Sequence, residues 1–221
     1  MAAEAADGTA VAALSQSAGR GRSGRSFLSP EGGLYLSMLL RPELAPERLP
    51  TLTPVAAVAV CRAVERVCGA SGSIKWPNDV VLGGKKICGI LTESVLGQGR
   101  ACVIVGIGVN ANTRDFPEEL RPIAGSVRDV TGQDCDLLAL AGALIEELDA
   151  CYASWLSGGA ETLSEYRRRC ISCGHEVLVG ERRGFARAIG EDYALLVSYP
   201  DGTEEAVRFG EVSVRGLYGY V

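Results

Sequence analysis

Apolar residues fall along the chain in short strand-length runs broken by two long helical stretches. Leu34 to Leu40 is a strongly apolar run behind the turn residues Ser29-Pro30 and Gly32-Gly33, and predicts a strand. "TPVAAVAVCRAVERVCG" predicts a helix, with Thr53 as N-cap, Pro54 at the first helical position and Gly69 just past the end. Its apolar residues nearly surround it, so it is expected to lie buried against a sheet. Val80 to Leu82, Ile87 to Leu91 and Ala101 to Val105 read as strands of an antiparallel meander, with Gly83-Gly84 as a hairpin turn and Gly97 to Gly99 as another. "DCDLLALAGALIEELDACYASWL" is the clearest amphipathic helix: Asp136 caps it, and Leu137, Leu140, Ala141, Leu144, Leu148, Cys151 and Trp155 keep helical spacing. "ETLSEYRRRC" adds a short charged helix. Beyond Gly174, "HEVLVG", "GFARAIG", "YALLVSY", "TEEAVRF" and "EVSVRGLYGY" are short strands between Gly or Asp-Gly turns, which predicts a small β barrel. The expected domains are 1–173 and 174–221.

Composition narrows the class. The 221 residues are 47% apolar and 22% charged, with a net charge of -5, so the surface as a whole is no nucleic-acid footprint. The longest apolar run, Val55 to Cys61, is far short of the roughly 20 residues of a membrane span. The opening residues lack a positive n-region and contain Glu4 and Asp7, so the cytoplasm is the expected compartment. Most of the eight cysteines sit in apolar runs, where a free thiol packs as a small hydrophobe. "CISCGH" (Cys170, Cys173, His175) could supply three zinc ligands, but no fourth stands at suitable spacing, and no metal site is expected.

Four stretches carry candidate chemistry. "SQSAGRGRSGRSF" packs Arg20, Arg22 and Arg25 among glycines, which suits neither a stable helix nor a buried strand. It is either a solvated linker or a loop that wraps an anion with guanidinium forks and glycine N–H groups. In "KWPNDVVLGGKK", Pro77 forces Trp76 into extended backbone, and the Gly-Gly turn brings Lys86 back toward Asn78 and Asp79, with Lys75 nearby. "GIGVNAN" places glycines at a strand end, where a ligand can approach the backbone; no helix pattern follows, so it is not a dinucleotide fingerprint. "GGLYLS" offers Leu34 to Ser37 as core strand or as a pocket wall.

Taken in order, "GRGRSGRSF", "LYLSMLLRP", "KWPNDV", "KKICGIL-TE" and "GIGVNAN", followed by a small β domain, closely resemble the biotin protein ligase family. The resemblance runs from about Ala10 to the C-terminus. It implies an α/β (α+β) fold: a mixed, largely antiparallel sheet flanked by helices, like the class II aminoacyl-tRNA synthetases, plus an SH3-like C-terminal barrel. It implies that biotin or its adenylate meets Gln16, Arg20, Gly21 and Arg22. Lys86 would reach the biotin carboxylate and the phosphates, with Gly89, Leu91, Gly106 and Gly108 around the ligand. Arg25, Lys75, Trp76, Asn78, Asp79 and Asn110 fall to the nucleotide side, and Phe27 stands where the family usually has tryptophan. Arg22, Lys86 and Asp79 are the candidate catalytic residues.

The implied chemistry is attack of a biotin carboxylate on the α-phosphorus of ATP, then transfer of biotin to a lysine of a biotin carboxyl carrier protein, such as the acetyl-CoA carboxylase subunit. Arg22, Lys86 and Mg²⁺ would offset the repulsion between two anionic substrates. Asp79 would orient the incoming ammonium, and the arginine loop would be mobile when empty and close over the ligand. Two other readings stay open: a lipoate-type ligase on a related fold, and a weak remnant that binds adenylate or carrier without turnover. The residues before the arginine loop read as the end of a helix, without the Ser-Thr-Asn run that contacts biotin in the family. No helix-turn-helix precedes them, so a repressor role and nucleic-acid binding are not implied. A homodimer is conceivable through the strand Ala101 to Asn110.

Overall fold

The computed structural model describes residues 5–97, 100–208, 210 and 212–214. Strands β1 (Ala10–Ala13), β2 (Leu34–Leu40), β3 (Ser73–Lys75), β4 (Asp79–Leu82), β5 (Lys85–Gly97) and β6 (Arg100–Val109) form one sheet in the order β1-β2-β6-β5-β4-β3. All its pairings are antiparallel. Helices α1 (Leu52–Cys68), α2 (Val127–Thr131), α3 (Leu137–Leu156) and α4 (Ala160–Arg169) complete this part. The mixed α/β class holds, and Gly83 and Gly84 both take left-handed φ, 56° and 76°, as a two-residue hairpin turn requires.

The elements have local causes. In α1 the run from Val55 to Cys61 is at most 1% exposed, so an all-apolar helix is covered on every side. It ends at Gly69, left-handed at φ 64°. Its start differs from expectation: Thr51, not Thr53, is the N-cap, and Pro54 is the third helical residue. The first turn's N–H groups have no intrahelical acceptor, so proline costs nothing there. The Thr53 hydroxyl instead bonds Thr92 Oγ1 at 2.9 Å. Asp136 caps α3 as expected, accepting from the N–H groups of Leu138 and Ala139.

One further expectation is corrected. The residues before the arginine loop form no helix end: Ala10 to Ala13 pair with Met38 to Tyr35 as strand β1. Alanine's helix preference yields to the hydrogen-bonding edge that β2 offers. The strand offered as a dimer edge, Ala101 to Asn110, lies largely inside the sheet: Val103 to Val109 are paired on one side to β2 and on the other to β5, and Ala101 and Cys102 are paired to β5 alone.

Strands β7 (Glu176–Val179), β8 (Arg182–Ile189), β9 (Leu195–Ser198), β10 (Glu204–Val207) and β11 (Val212–Val214) make a second antiparallel sheet in the order β10-β9-β8-β7-β11. No pairing of β10 with β11 closes it into a barrel among the described residues. The rest of the expected last strand, and Gln98 and Gly99 of the expected turn, lie outside the described residues. One apolar core runs through both sheets: Leu40, Val58, Leu144 and Trp155 belong to the same cluster as Val177, Leu195 and Val197. Buried Glu165 of α4 ties three helices together. It accepts from Arg62 of α1 at 2.6 Å and Arg169 of α4 at 2.8 Å, while Arg62 also faces Glu147 of α3 at 4.0 Å. The Cys68 and Cys135 sulfurs, at the end of α1 and just before α3, are 2.9 Å apart.

Candidate active site

The sheet's register builds the floor of a cleft. Directly opposed residues share a face, and one row runs Lys75, Asp79, Gly89, Gly108, Tyr35 across five strands. The next row on that face is Leu91, Gly106, Ser37, and the one after is Glu93, Ile104, Leu39. The middle of the floor is therefore glycine, with charged residues at its β4 side and along β5. The opposite face, with Ile90, Val105 and Met38, is buried in the core beneath α1.

The arginine loop folds over this floor. Phe27 N–H donates to Gly19 C=O at 2.9 Å, Gly21 N–H to Arg25 C=O at 2.7 Å, and Gln16 N–H to Ser29 C=O at 3.0 Å. A Cβ on Gly19 would stand 2.3 Å from the Phe27 carbonyl oxygen, so only glycine lets the two limbs of the loop approach this closely. The Phe27 ring lies on the two floor glycines: a Cβ at Gly108 would meet it at 2.5 Å and one at Gly89 at 2.9 Å. The cleft measures about 400 Å³.

The cations converge here. Lys86 Nζ is 2.7 Å from Asp79 Oδ1, with the two side chains 26% and 12% exposed. Lys86 is set by its backbone, whose N–H donates to Ile123 C=O and whose C=O accepts from Gly125 N–H. Its neighbour Lys85 points away to the carbonyls of Arg121 and Pro122. Asn78 donates Nδ2–H to Ile90 C=O at 2.9 Å, which turns its Oδ1 toward Arg22 Nη1, also at 2.9 Å. Arg22 Nη2 bonds Gly210 C=O, and Lys75 Nζ bonds Val212 C=O at 3.1 Å. Arg20 pairs with Glu93 at 3.1 Å. Each of these cations is held by a carbonyl, an amide or a carboxylate that an anionic ligand can replace.

Gln16, Arg20, Gly21, Arg22, Arg25, Lys75, Asn78, Asp79, Lys86, Gly89, Leu91, Gly106 and Gly108 all line the cleft. Asn110 is off the cleft and 5% exposed; its Nδ2 bonds Gly125 C=O, so it ties the end of β6 to the loop that bonds the Lys86 backbone. Trp76 borders the cleft, 2% exposed, with its indole N–H donated to Tyr193 C=O. Sequence reasoning passed over Glu93, although it follows Gly89 and Leu91 at strand period. It also passed over Gly210, Val212 and Ser213, whose place depends on how the second sheet docks. Among the described residues no group of three or more His, Cys, Asp or Glu is placed to hold a metal ion. Among the described residues no helix is long and apolar enough to cross a membrane.

Comparison with known proteins gives a consistent answer. Residues 2–110 match the model of the "Biotin/lipoate A/B protein ligase family". The bifunctional ligase/repressor BirA of Bacillus subtilis is 40% identical over 159 residues, 70% of this chain and 49% of that protein, so the match spans about half that relative's length. The biotin–[acetyl-CoA-carboxylase] ligase of Paracoccus denitrificans is 33% identical over 88% of this chain and 85% of its own length. The biotin protein ligase of Aquifex aeolicus, solved in complex with biotin and ATP, superimposes with a TM-score of 0.83 at 33% identity over 96% of this chain and 90% of that one. With the last two identities extending over most of each chain, and the loop, hairpin and glycine floor gathered into one cleft, the chain belongs to the biotin protein ligase family.

Proposed function

We propose that the chain activates biotin with ATP to biotinyl-5'-AMP and passes the biotinyl group to a lysine of a biotin carboxyl carrier protein. The observation that carries this reading is the meeting of Arg22 and Lys86, 64 positions apart in sequence, over a floor that glycine keeps open. In the first step a carboxylate oxygen of biotin attacks the α-phosphorus and pyrophosphate leaves. Both reactants are anions, so guanidinium and ammonium groups fixed beforehand lower the barrier as charge builds on the phosphate oxygens. Lys86 exchanges Asp79 for the ligand. That frees the Asp79 carboxylate to receive the acceptor's ammonium near the anhydride carbonyl and take one proton from it, so that the neutral amine attacks the carbonyl carbon; the second proton is lost from the nitrogen to the departing AMP phosphate or to water as the anhydride C–O bond breaks and the amide forms.

Magnesium belongs with the nucleotide in this reading. The cleft's carboxylates, Asp79 and Glu93, stand on separate strands facing Lys86 and Arg20, and among the described residues no group of three or more His, Cys, Asp or Glu forms a cage for a cation. A magnesium ion would accompany the ATP phosphates as part of the substrate.

Biotin-dependent ATP–pyrophosphate exchange tests the reading. The parent chain is expected to exchange, and Lys86→Ala to lose at least about 100-fold through the missing charge. Asp79→Asn should instead retain exchange and slow transfer from preformed biotinyl-AMP to a carrier domain. Exchange driven by lipoate and not by biotin, or undiminished exchange by Lys86→Ala, would overturn it.

A further inference from the structure

We infer that Ser172 is a positioning residue for the Asn78–Asp79 pair, acting from outside the cleft through the backbone of Trp76. The inference rests on the ligase reading above and adds a residue that lines no part of the site. The segment from Lys75 to Asp79 leaves β3, crosses the cleft wall and enters β4. Three hydrogen bonds from the C-terminal half of the chain hold it. The Ser172 hydroxyl oxygen accepts from Trp76 N–H at 2.9 Å. The carbonyl of Tyr193 accepts from the Trp76 indole at 2.9 Å, and the Tyr166 hydroxyl donates to Pro77 C=O at 3.3 Å. One residue earlier, Ile171 N–H donates to Ile74 C=O at 2.9 Å, so the turn carrying Ser172 is laced to β3.

All four groups are dry: Ser172 and Tyr166 are 0% exposed, Trp76 2% and Tyr193 7%. A buried N–H that loses its acceptor costs more than the bond itself was worth, so the backbone shifts to find another partner. The residues downstream are those with the chemistry, and Asn78 is pinned on its far side to Ile90. A shift at Trp76 therefore turns Asn78 and Asp79 against Arg22 and Lys86. Tyr193 supports the same conclusion. It is a non-glycine residue at φ 60°, a strained conformation that aims its carbonyl at the indole.

The test measures two steps separately in the full-length chain. Ser172→Ala should bind biotin within about twofold of the parent, since the glycine floor is untouched, and lose about tenfold or more in the rate of transfer from preformed biotinyl-AMP. Ser172→Thr, which keeps the oxygen, should restore that rate. A merely structural role would lower the melting midpoint and leave the rate per folded molecule unchanged. If Ser172→Ala does not fold, the isosteric Tyr166→Phe decides, with a smaller fall in transfer at unchanged biotin affinity expected. A parental transfer rate in folded Ser172→Ala, or in Tyr166→Phe where that variant decides, overturns the inference alone. A parent chain without biotin-dependent exchange overturns the ligase reading and takes the inference with it.

Discussion

At the scale of single residues, the cleft depends on side chains that are missing. Gly89 and Gly108 face each other across β5 and β6, and the Phe27 ring fills the space their hydrogens leave. Gly108→Ala would put a methyl group 2.5 Å from that ring. Overpacking of this kind costs about 1–3 kcal/mol in a closed core. Phe27 is only half-buried, so its ring can swing outward. The cost should therefore fall on ligand binding: we expect a melting midpoint close to the parent's and a biotin KM raised about tenfold. An unchanged KM would show that the ring's seat is irrelevant to the ligand. Much at this scale was legible in the sequence. The Gly-Gly turn brings Lys86 back beside β4, where it pairs with Val81 and its side chain reaches Asp79. That Asn110 lies off the cleft was not legible, because a motif's spacing does not say which side of the backbone faces it.

At the scale of elements, helix α4 is held by charge. Burial alone would raise the Glu165 carboxyl, but hydrogen bonds from Arg62 and Arg169 outweigh it and hold it below its ordinary 4.5. A depressed carboxylate contributes its full stabilisation above that value and loses it as the pH falls through the folded value. Glu165→Gln should therefore lose on the order of 1–3 kcal/mol at neutral pH. Its unfolding free energy should also vary less between pH 5 and pH 2 than the parent's. Parallel acid profiles for the two chains would refute this. The long helices announced themselves by period and by caps, Asp136 above all. Strand β1 did not, because Ala10 to Ala12 are all exposed and leave no alternation to read. Helix α2 escaped because five residues behind a Ser126–Asp129 capping box make little more than one turn.

At the scale of the whole molecule, the cleft draws on both halves of the chain. Gly210 and Val212 receive Arg22 and Lys75, and Tyr193 receives Trp76. No local pattern shows that such distant segments meet; only the folded core decides it. Because one apolar cluster runs through both sheets, denaturant unfolding should be a single transition by tryptophan fluorescence and by circular dichroism. Two resolved transitions would mean that the sheets unfold independently. The neighbouring thiols of Cys68 and Cys135 bear on handling the protein at the bench. A mild disulfide reagent that accepts their two electrons and two protons would weld a ring between positions 67 apart, without moving either helix far. Such a tether restrains the denatured chain by about 4 kcal/mol. Samples treated with such a reagent should run faster on a non-reducing gel and melt later, and dithiothreitol should reverse both changes.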